Sequence, residues 1–155
     1  MLFSSRQKLY GDRYQIIKQI GEGGFGITYL AKDSKGKQVV IKTLNENAQN
    51  SSDVELLKVS FKDEALKLAS CNHPHIVKYE NFFTEDELPC LVMEYIDDLN
   101  LWETVSKKSV LDEFKALLFV QQIVSALIET HSKGLLHLDV KPNNIILRRS
   151  NWEVV

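Results

Sequence analysis

Tyr14-Gln15-Ile16-Ile17-Lys18-Gln19-Ile20-Gly21-Glu22-Gly23-Gly24-Phe25-Gly26-Ile27-Thr28-Tyr29-Leu30-Ala31 is the stretch on which the fold turns. The residues before the glycines alternate as a strand, and Ile27 to Ala31 resume the same β-rich pattern, so the glycines join strand to strand as a hairpin. A dinucleotide-binding turn needs the opposite arrangement: glycines opening a helix whose N-terminus holds a pyrophosphate, with an acid about twenty residues later. Here a strand follows, and a lysine, Lys42, stands near that distance. Bare Cα atoms in such a hairpin let backbone N–H groups approach phosphate oxygens; the plain alternative is a bulged hairpin.

Downstream, Asp33 to Lys37 is a turn cluster, and Gln38 to Thr43 reads as a third strand. Lys42 ends its apolar run, Val39-Val40-Ile41. An inward-facing lysine there is costly unless paired; otherwise it snorkels to solvent. The Asn, Ser and Gln of residues 45–53 mark an exposed loop, with Ser52 and Glu55 spaced as a capping box for the next helix. That helix carries Phe61, Ala65 and Leu68 on one face with Glu64 beside them, which makes Glu64 the natural partner of Lys42. His73-Pro74-His75 stops the helix, and two strand-like runs, Ile76 to Phe83 and Leu88 to Met93, flank Thr84 to Glu87. The expectation is an α+β chain: an N-terminal extension over 1–9, a first lobe over 10–95 with a five-stranded antiparallel meander and one inserted helix, and a second lobe over 96–155.

In the second lobe Asp97 and Asp98 are placed to cap a short helix through about Val105. Asp112 is placed to cap a long one from Glu113 to Ser132, closed by Lys133-Gly134. The long helix is apolar most of the way round, and such a helix normally buries most of its faces. Little chain follows it, so association or a loosely packed C-terminal third is expected. Beyond it, His137-Leu138-Asp139-Val140-Lys141-Pro142-Asn143-Asn144-Ile145 puts an acid, a cation and an amide into one loop between apolar runs. Asp139 can take a proton, Lys141 can neutralise an anion and Asn144 can offer a carbonyl oxygen to a metal; an ordinary solvated turn is the alternative.

Composition bounds the partners. With 44% hydrophobic and 26% charged residues in 155, the chain has the balance of a folded soluble protein. A formal charge of -2 from 19 basic and 21 acidic residues leaves no footprint for nucleic acid or an anionic membrane. Cys71 and Cys90 match no metal spacing and read as buried reduced thiols of a cytoplasmic protein. The N-terminus has no signal-peptide core and no apolar run reaches membrane-spanning length, which again points to the cytoplasm. His73, His75 and His131 read as ordinary residues.

The order of these motifs resembles the protein kinase family. Gly-x-Gly-x-x-Gly-x-Thr at 21–28, Val-Val-Ile-Lys at 39–42, the helix acid Glu64, Leu-Val-Met-Glu-Tyr at 91–95 and His-Leu-Asp-Val-Lys-Pro-Asn-Asn at 137–144 stand in the family's sequence. The lysine two residues after Asp139 resembles the serine/threonine branch, and Gly-Gly-Phe-Gly-Ile-Thr-Tyr-Leu is similar to the eukaryotic-like kinases of bacteria. The resemblance spans residues 10–155, about the first half to two-thirds of such a domain. It implies a kinase-like fold, ATP and Mg²⁺ as cofactors, and transfer of the γ-phosphate to Ser/Thr hydroxyls of a protein substrate.

Residue by residue, the resemblance implies that Lys42 binds the α- and β-phosphates and is held by Glu64, while Gly21, Glu22, Gly23, Gly24, Phe25 and Gly26 form a lid over them. Asp139 becomes the base for the substrate hydroxyl, Lys141 stabilises the transferred group and Asn144 binds one Mg²⁺. Met93 takes the gatekeeper place, the backbones of Glu94 and Ile96 meet adenine, and Ile20, Val40 and Ile146 sandwich the ring. Thr28 stands above it where Val is commoner. For Met93, Val40 and Ile146 plain core packing is the alternative, and His137 reads as packing. Leu138 replaces the usual Arg before the catalytic Asp, which removes the cation that pairs with an activation-loop phosphate. Asp97-Asp98-Leu99 replaces the common glycine pair after the hinge. The family continues into Asp-Phe-Gly where this sequence ends. The resemblance therefore leaves a second reading: a catalytically silent nucleotide-binding or interaction fragment, pseudokinase-like or completed by a second chain.

Overall fold

The computed structural model describes residues 2–108, 111–148 and 150–155. They form two units, Met1–Ala69 with Lys78–Tyr95, and Ser70–Val77 with Ile96–Val155.

The first unit is built on one antiparallel sheet: β1 (Lys8–Leu9), β2 (Tyr14–Gly23), β3 (Gly26–Asp33), β4 (Gln38–Leu44), β5 (Tyr79–Glu85) and β6 (Leu88–Glu94), in the spatial order β1-β2-β3-β4-β6-β5. Successive side chains of a strand point to opposite faces, and β4 shows what this does. Val39, Ile41 and Thr43 are fully buried on one face, while Val40, Lys42 and Leu44 lie on the other. The first face joins Tyr29, Ala31, Cys90 and Val92 in a core that also takes in Phe83, Tyr14 and Ile16. On the second, Leu44 and Leu91 meet Phe61 and Ala65 of α2 (Val54–Ser70). Burial pushes the Cys90 thiol up to about 12. Cys71 is only half-buried, unlike the buried thiol expected, because it lies past the end of α2.

The sheet has six strands where five were expected, because Lys8 and Leu9 of the N-terminal extension add one. Lys8 and Leu9 pair with Gln15 and Tyr14, a two-residue strand too short to show alternation in sequence. Leu9 is fully buried, Phe3 is 3% exposed, and the Phe3 N–H donates to the Tyr29 hydroxyl at 3.3 Å. Tyr10 stacks on Phe83 at 4.8 Å and its N–H donates to Glu85 Oε2 at 2.8 Å. This strap closes the outer core over Ile16 and Phe83.

Other local expectations shift for identifiable reasons. Residues 45–53 are not all exposed loop: α1 (Glu46–Gln49) forms there, with Asn45 at 2% exposure and Ala48 fully buried. Among the described residues Ser52 and Glu55 make no capping box; Ser51 Oγ accepts from the Asp53 N–H, and Glu55 pairs instead with Lys58 at 2.9 Å. Ile76 to Lys78 are not strand, since the Ile76 N–H turns back to the His73 carbonyl.

In the second unit α3 (Leu101–Lys108) is capped by Asn100 rather than Asp97 or Asp98: the Glu103 N–H donates to Asn100 Oδ1 at 2.8 Å and the Asn100 N–H to Glu103 Oε2 at 3.1 Å. This is the reciprocal capping box. α4 (Glu113–Ser132) has the predicted limits, with Asp112 Oδ1 accepting from the Lys115 N–H at 2.9 Å and Gly134 at φ +70° beyond its end. Phe119 packs with Leu147 and Val154 of the small hairpin β7 (Leu147–Arg148) and β8 (Glu153–Val154), and His75 Nδ1 lies 2.8 Å from the Val154 carbonyl. The rest of the α4 surface is not buried as its composition would demand: Phe114, Leu117 and Ile128 are 77%, 63% and 65% exposed. Among the described residues no helix is long and apolar enough to cross a membrane.

The burial of the strap makes it structural. Leu9→Ala is expected to lower unfolding free energy by about 2–4 kcal/mol, read as a lower denaturant midpoint; an unchanged midpoint would show that the strap only lies on the surface.

Candidate functional site

The glycine hairpin and Lys42 are brought together by strand register. Gly21 is paired with Thr28, Thr28 with Lys42, and Lys42 with Leu91. Lys42 therefore projects on the α2 side of the sheet, where Phe61 and Ala65 dock the helix and carry Glu64 beside them. The Lys42 ammonium lies 3.0 Å from Glu64 Oε1 and 5.7 Å from the Phe61 ring centre. Both charged side chains are part-exposed, at 33% and 45%, so the pair is worth no more than about 1 kcal/mol of stability. Its effect is directional: it fixes where the ammonium points.

The glycines are not explained by backbone strain. None of Gly21, Gly23, Gly24 and Gly26 has a positive φ, and a Cβ added at Gly23 or Gly24 would meet nothing within 4 Å. At Gly26 it would come 3.4 Å from the Lys42 Cε. What the bare Cα atoms at 23 and 24 permit is close approach by a group from outside the chain.

One side chain at the hairpin was not legible as part of it. Asn45 Nδ2 donates to the Gly23 and Gly24 carbonyls at 2.9 and 3.1 Å, and its Oδ1 accepts from the Ala48 N–H at 2.9 Å. Its own N–H donates to the Phe25 carbonyl at 3.0 Å. The available signal was an Asn directly before Glu46, the residue type and position of an N-cap.

Of the positions assigned to the adenine, Val40 pairs with both Leu30 and Met93, which puts the two on one face of the sheet, half-buried. Met93 also packs against the Phe61 and Leu91 cluster. Ile20 and Phe25 are 43% and 59% exposed, and Glu22 Oε2 accepts from Gln19 Nε2. The Glu94 N–H donates to the Lys78 carbonyl, and Glu94 Oε1 accepts from the Lys78 N–H, each at 2.9 Å. Ile96 and Ile146 belong to the second unit, where Ile146 bridges Asn100 and exchanges backbone hydrogen bonds with Val155.

In the second unit Asp139, Lys141 and Asn144 converge. Asp139 Oδ2 lies 2.8 Å from the Lys141 ammonium and accepts from Asn144 Nδ2 at 2.9 Å; the same nitrogen donates to the Asp139 carbonyl. A 3₁₀ turn over Pro142–Asn144, with Pro at its start, brings Asn144 back over Asp139. The Lys141 and then the Asn144 hydrogen bonds hold the Asp139 carboxyl below the usual carboxylate range. With its nitrogen tied to Asp139, the amide of Asn144 directs its oxygen away, as a cation ligand requires. His137, expected to pack, is exposed, and its Nδ1 accepts from the Asp139 N–H at 3.3 Å. Leu138 sits at φ +59° with 89% exposure, a left-handed conformation that costs a non-glycine residue about 1–2 kcal/mol. Such strain gathers at functional loops.

The structure thus brings Lys42 to Glu64 in the first unit and gathers Asp139, Lys141 and Asn144 in the second. Known proteins match this chain along most of its length. The family model "Protein kinase domain" matches residues 14–154. Serine/threonine-protein kinase D of Synechocystis is 40% identical over 146 residues, covering 90% of this chain and 28% of its own length. Serine/threonine-protein kinase PrkC of Bacillus subtilis is 36% identical over 141 residues, covering 90% of this chain and 21% of its own. The chain therefore spans about a quarter of the curated relatives it matches. Among solved structures, "PpkA-294 apo form" superposes with a TM-score of 0.81 at 24% identity, over 99% of this chain and 59% of that one, which is a likeness of fold. A family match over residues 14–154, nearly the whole chain, makes this chain a member of the protein kinase domain family.

Proposed function

We propose that this chain is the ATP-binding and catalytic-loop part of a serine/threonine protein kinase acting in the cytoplasm, which transfers the ATP γ-phosphate to Ser/Thr hydroxyls of a protein substrate. The observation that carries the reading is the Lys42–Glu64 pair at 3.0 Å beside glycines whose outer faces are open. Lys42 is placed to neutralise the α- and β-phosphates, and the backbone N–H groups of residues 21–26 to cover them. In the first unit Thr28, Val40, Met93, Ile20 and the Glu94 backbone are assigned to the adenine. Asp139, kept ionised by Lys141 and Asn144, is suited to orient a substrate hydroxyl and accept its proton. Lys141 carries the positive charge suited to stabilising the group in transfer.

Mg²⁺, when bound, offsets the charge of the phosphates. Asn144 would hold it through its amide oxygen, with phosphate oxygens and water completing the shell. Among the described residues no three His, Cys, Asp or Glu side chains group as a metal site. The second reading is a nucleotide-binding or interaction module that does not turn over by itself.

Activity belongs to the whole protein containing this chain. Given Mg-ATP and a Ser/Thr substrate, that protein is expected to incorporate phosphate, with Asp139→Asn lowering kcat about a hundredfold or more; equal rates would remove Asp139 from catalysis. In this chain by itself, saturating ATP should raise the melting temperature through linkage of ligand to the folded state, and Lys42→Ala should abolish the rise. A rise without turnover selects the silent module, and no rise rejects nucleotide binding.

The pH behaviour of the loop follows from the lowered Asp139 pKa. Because the folded value lies below the unfolded one, the stabilisation is present above the unfolded pKa and is lost as pH falls through the folded one. Asn144→Ala removes the second-largest cause and should move the Asp139 carboxyl titration upward in an NMR pH series. An unmoved titration would mean that Lys141 holds the carboxylate unaided.

A further inference from the structure

The turn at the tip of the glycine hairpin is held in an unusual way. Gly23 pairs with Gly26, so Gly24 and Phe25 form a two-residue connection, yet neither has a positive φ. Two-residue hairpin loops normally use turns with positive φ, whose twist matches that of the strands; ordinary turns splay them. Something outside the turn must hold the tip, and the structure places one buried side chain against it.

We propose that Asn45 is a positioning residue for nucleotide binding: its side-chain amide holds the Gly23 and Gly24 carbonyls inward and so turns the Gly24 and Phe25 N–H groups outward to meet phosphate. The inference deepens the nucleotide-binding reading above and rests on it. In a trans peptide unit the C=O and the following N–H point in opposite directions. With Nδ2 donating to both carbonyls at 2.9 and 3.1 Å, the next two N–H groups must point away from Asn45. The amide cannot flip, because Oδ1 is committed to the Ala48 N–H at 2.9 Å and a flip would set oxygen against two carbonyls. At 2% exposure the side chain has no water to exchange these partners with. Its backbone N–H on the Phe25 carbonyl extends the same hold to the next residue. The end of β4 therefore serves two tasks three residues apart: Lys42 aims the cation and Asn45 aims the hairpin amides.

A residue needed only for folding would weaken every ligand alike, whereas one that aims N–H groups at phosphate should affect phosphate-bearing ligands alone. Asn45→Ser keeps a neutral oxygen that can cap α1 but loses the two donors. Calorimetric titration of the full chain with ATP and, separately, with adenosine reads the difference. The expected result is an ATP Kd raised about tenfold, equivalent to about 1.4 kcal/mol, with the adenosine Kd changed less than twofold. Equal weakening of both ligands, or no change in either, overturns the proposal. Should Asn45→Ser not fold, Asn45→Thr, which also keeps a capping oxygen and lacks the amide, is read in the same way. If the unsubstituted chain binds adenosine and ATP with equal affinity or binds neither, the nucleotide reading fails and this inference with it. If it binds ATP more tightly and the variants keep that preference, only the Asn45 inference fails.

Discussion

An ammonium set between two fully buried positions on a central strand must find its partner on the opposite face of that strand. Ile41 and Thr43, on either side of Lys42, are both fully buried, so the strand cannot rotate to carry Lys42 into bulk water without turning those residues out. The solution is α2. Phe61 and Ala65 dock it against Leu44 and Leu91, and the residue between them in the helical turn, Glu64, then falls beside the lysine. Apolar packing sets the position of the helix, and the ion pair, weak as stabilisation, sets the aim of the cation. The pleat of β4 thereby separates two tasks, one face making the core and the other the surface on which Thr28, Val40, Lys42 and Met93 stand.

The parts legible in the sequence are those with a local physical signature. Strand alternation, the strand that follows the glycines, the Asp112 cap and the Lys133-Gly134 close of α4 each express a preference of a few neighbouring residues, and the structure shows each of them. The pairing of Lys42 with Glu64 was legible because an unpaired charge at that place is costly. What stayed hidden depends on contacts far apart in the chain. Two residues of β1 cannot display a period, and the burial of Phe3 and Leu9 is decided by Tyr29 and Phe83. Asn45 looked like the start of a polar loop, because nothing local says that its amide will be taken by carbonyls some twenty residues earlier. The expected cap at Asp97 or Asp98 failed for the opposite reason: acids near a helix start are interchangeable candidates until the turn itself is formed, and Asn100 with Glu103 satisfied both orphan N–H groups at once.

The second unit shows the same economy in a smaller core. Phe119, Leu147 and Val154 bury one stripe of α4, and the segment from Ser70 to Val77 is tied in through His73 to Ser125 and His75 to the Val154 carbonyl. Around the loop at 137–144 hydrogen bonding rather than burial holds the geometry: Asp139, Lys141 and Asn144 are all exposed, and each contacts at least one of the others. A polar network on the surface can keep its shape only if the backbone is stiff, and the proline of the 3₁₀ turn together with the left-handed Leu138 leaves that backbone few alternatives.

The strap that closes the outer core also bears on the time order of folding. Tyr10 reaches Glu85 across a sequence separation of 75 residues, and Phe3 reaches Tyr29 across 26. During synthesis the strap emerges before the rest of the first unit, yet the partners that hold its far end emerge last in that unit. Contacts of such long range are slow to close because chain entropy must be lost before they form. Until β5 and β6 arrive, Ile16 and Ile41 have no complete cover, so a growing chain exposes its outer core longest, and that interval is when it is most open to association with other nascent chains.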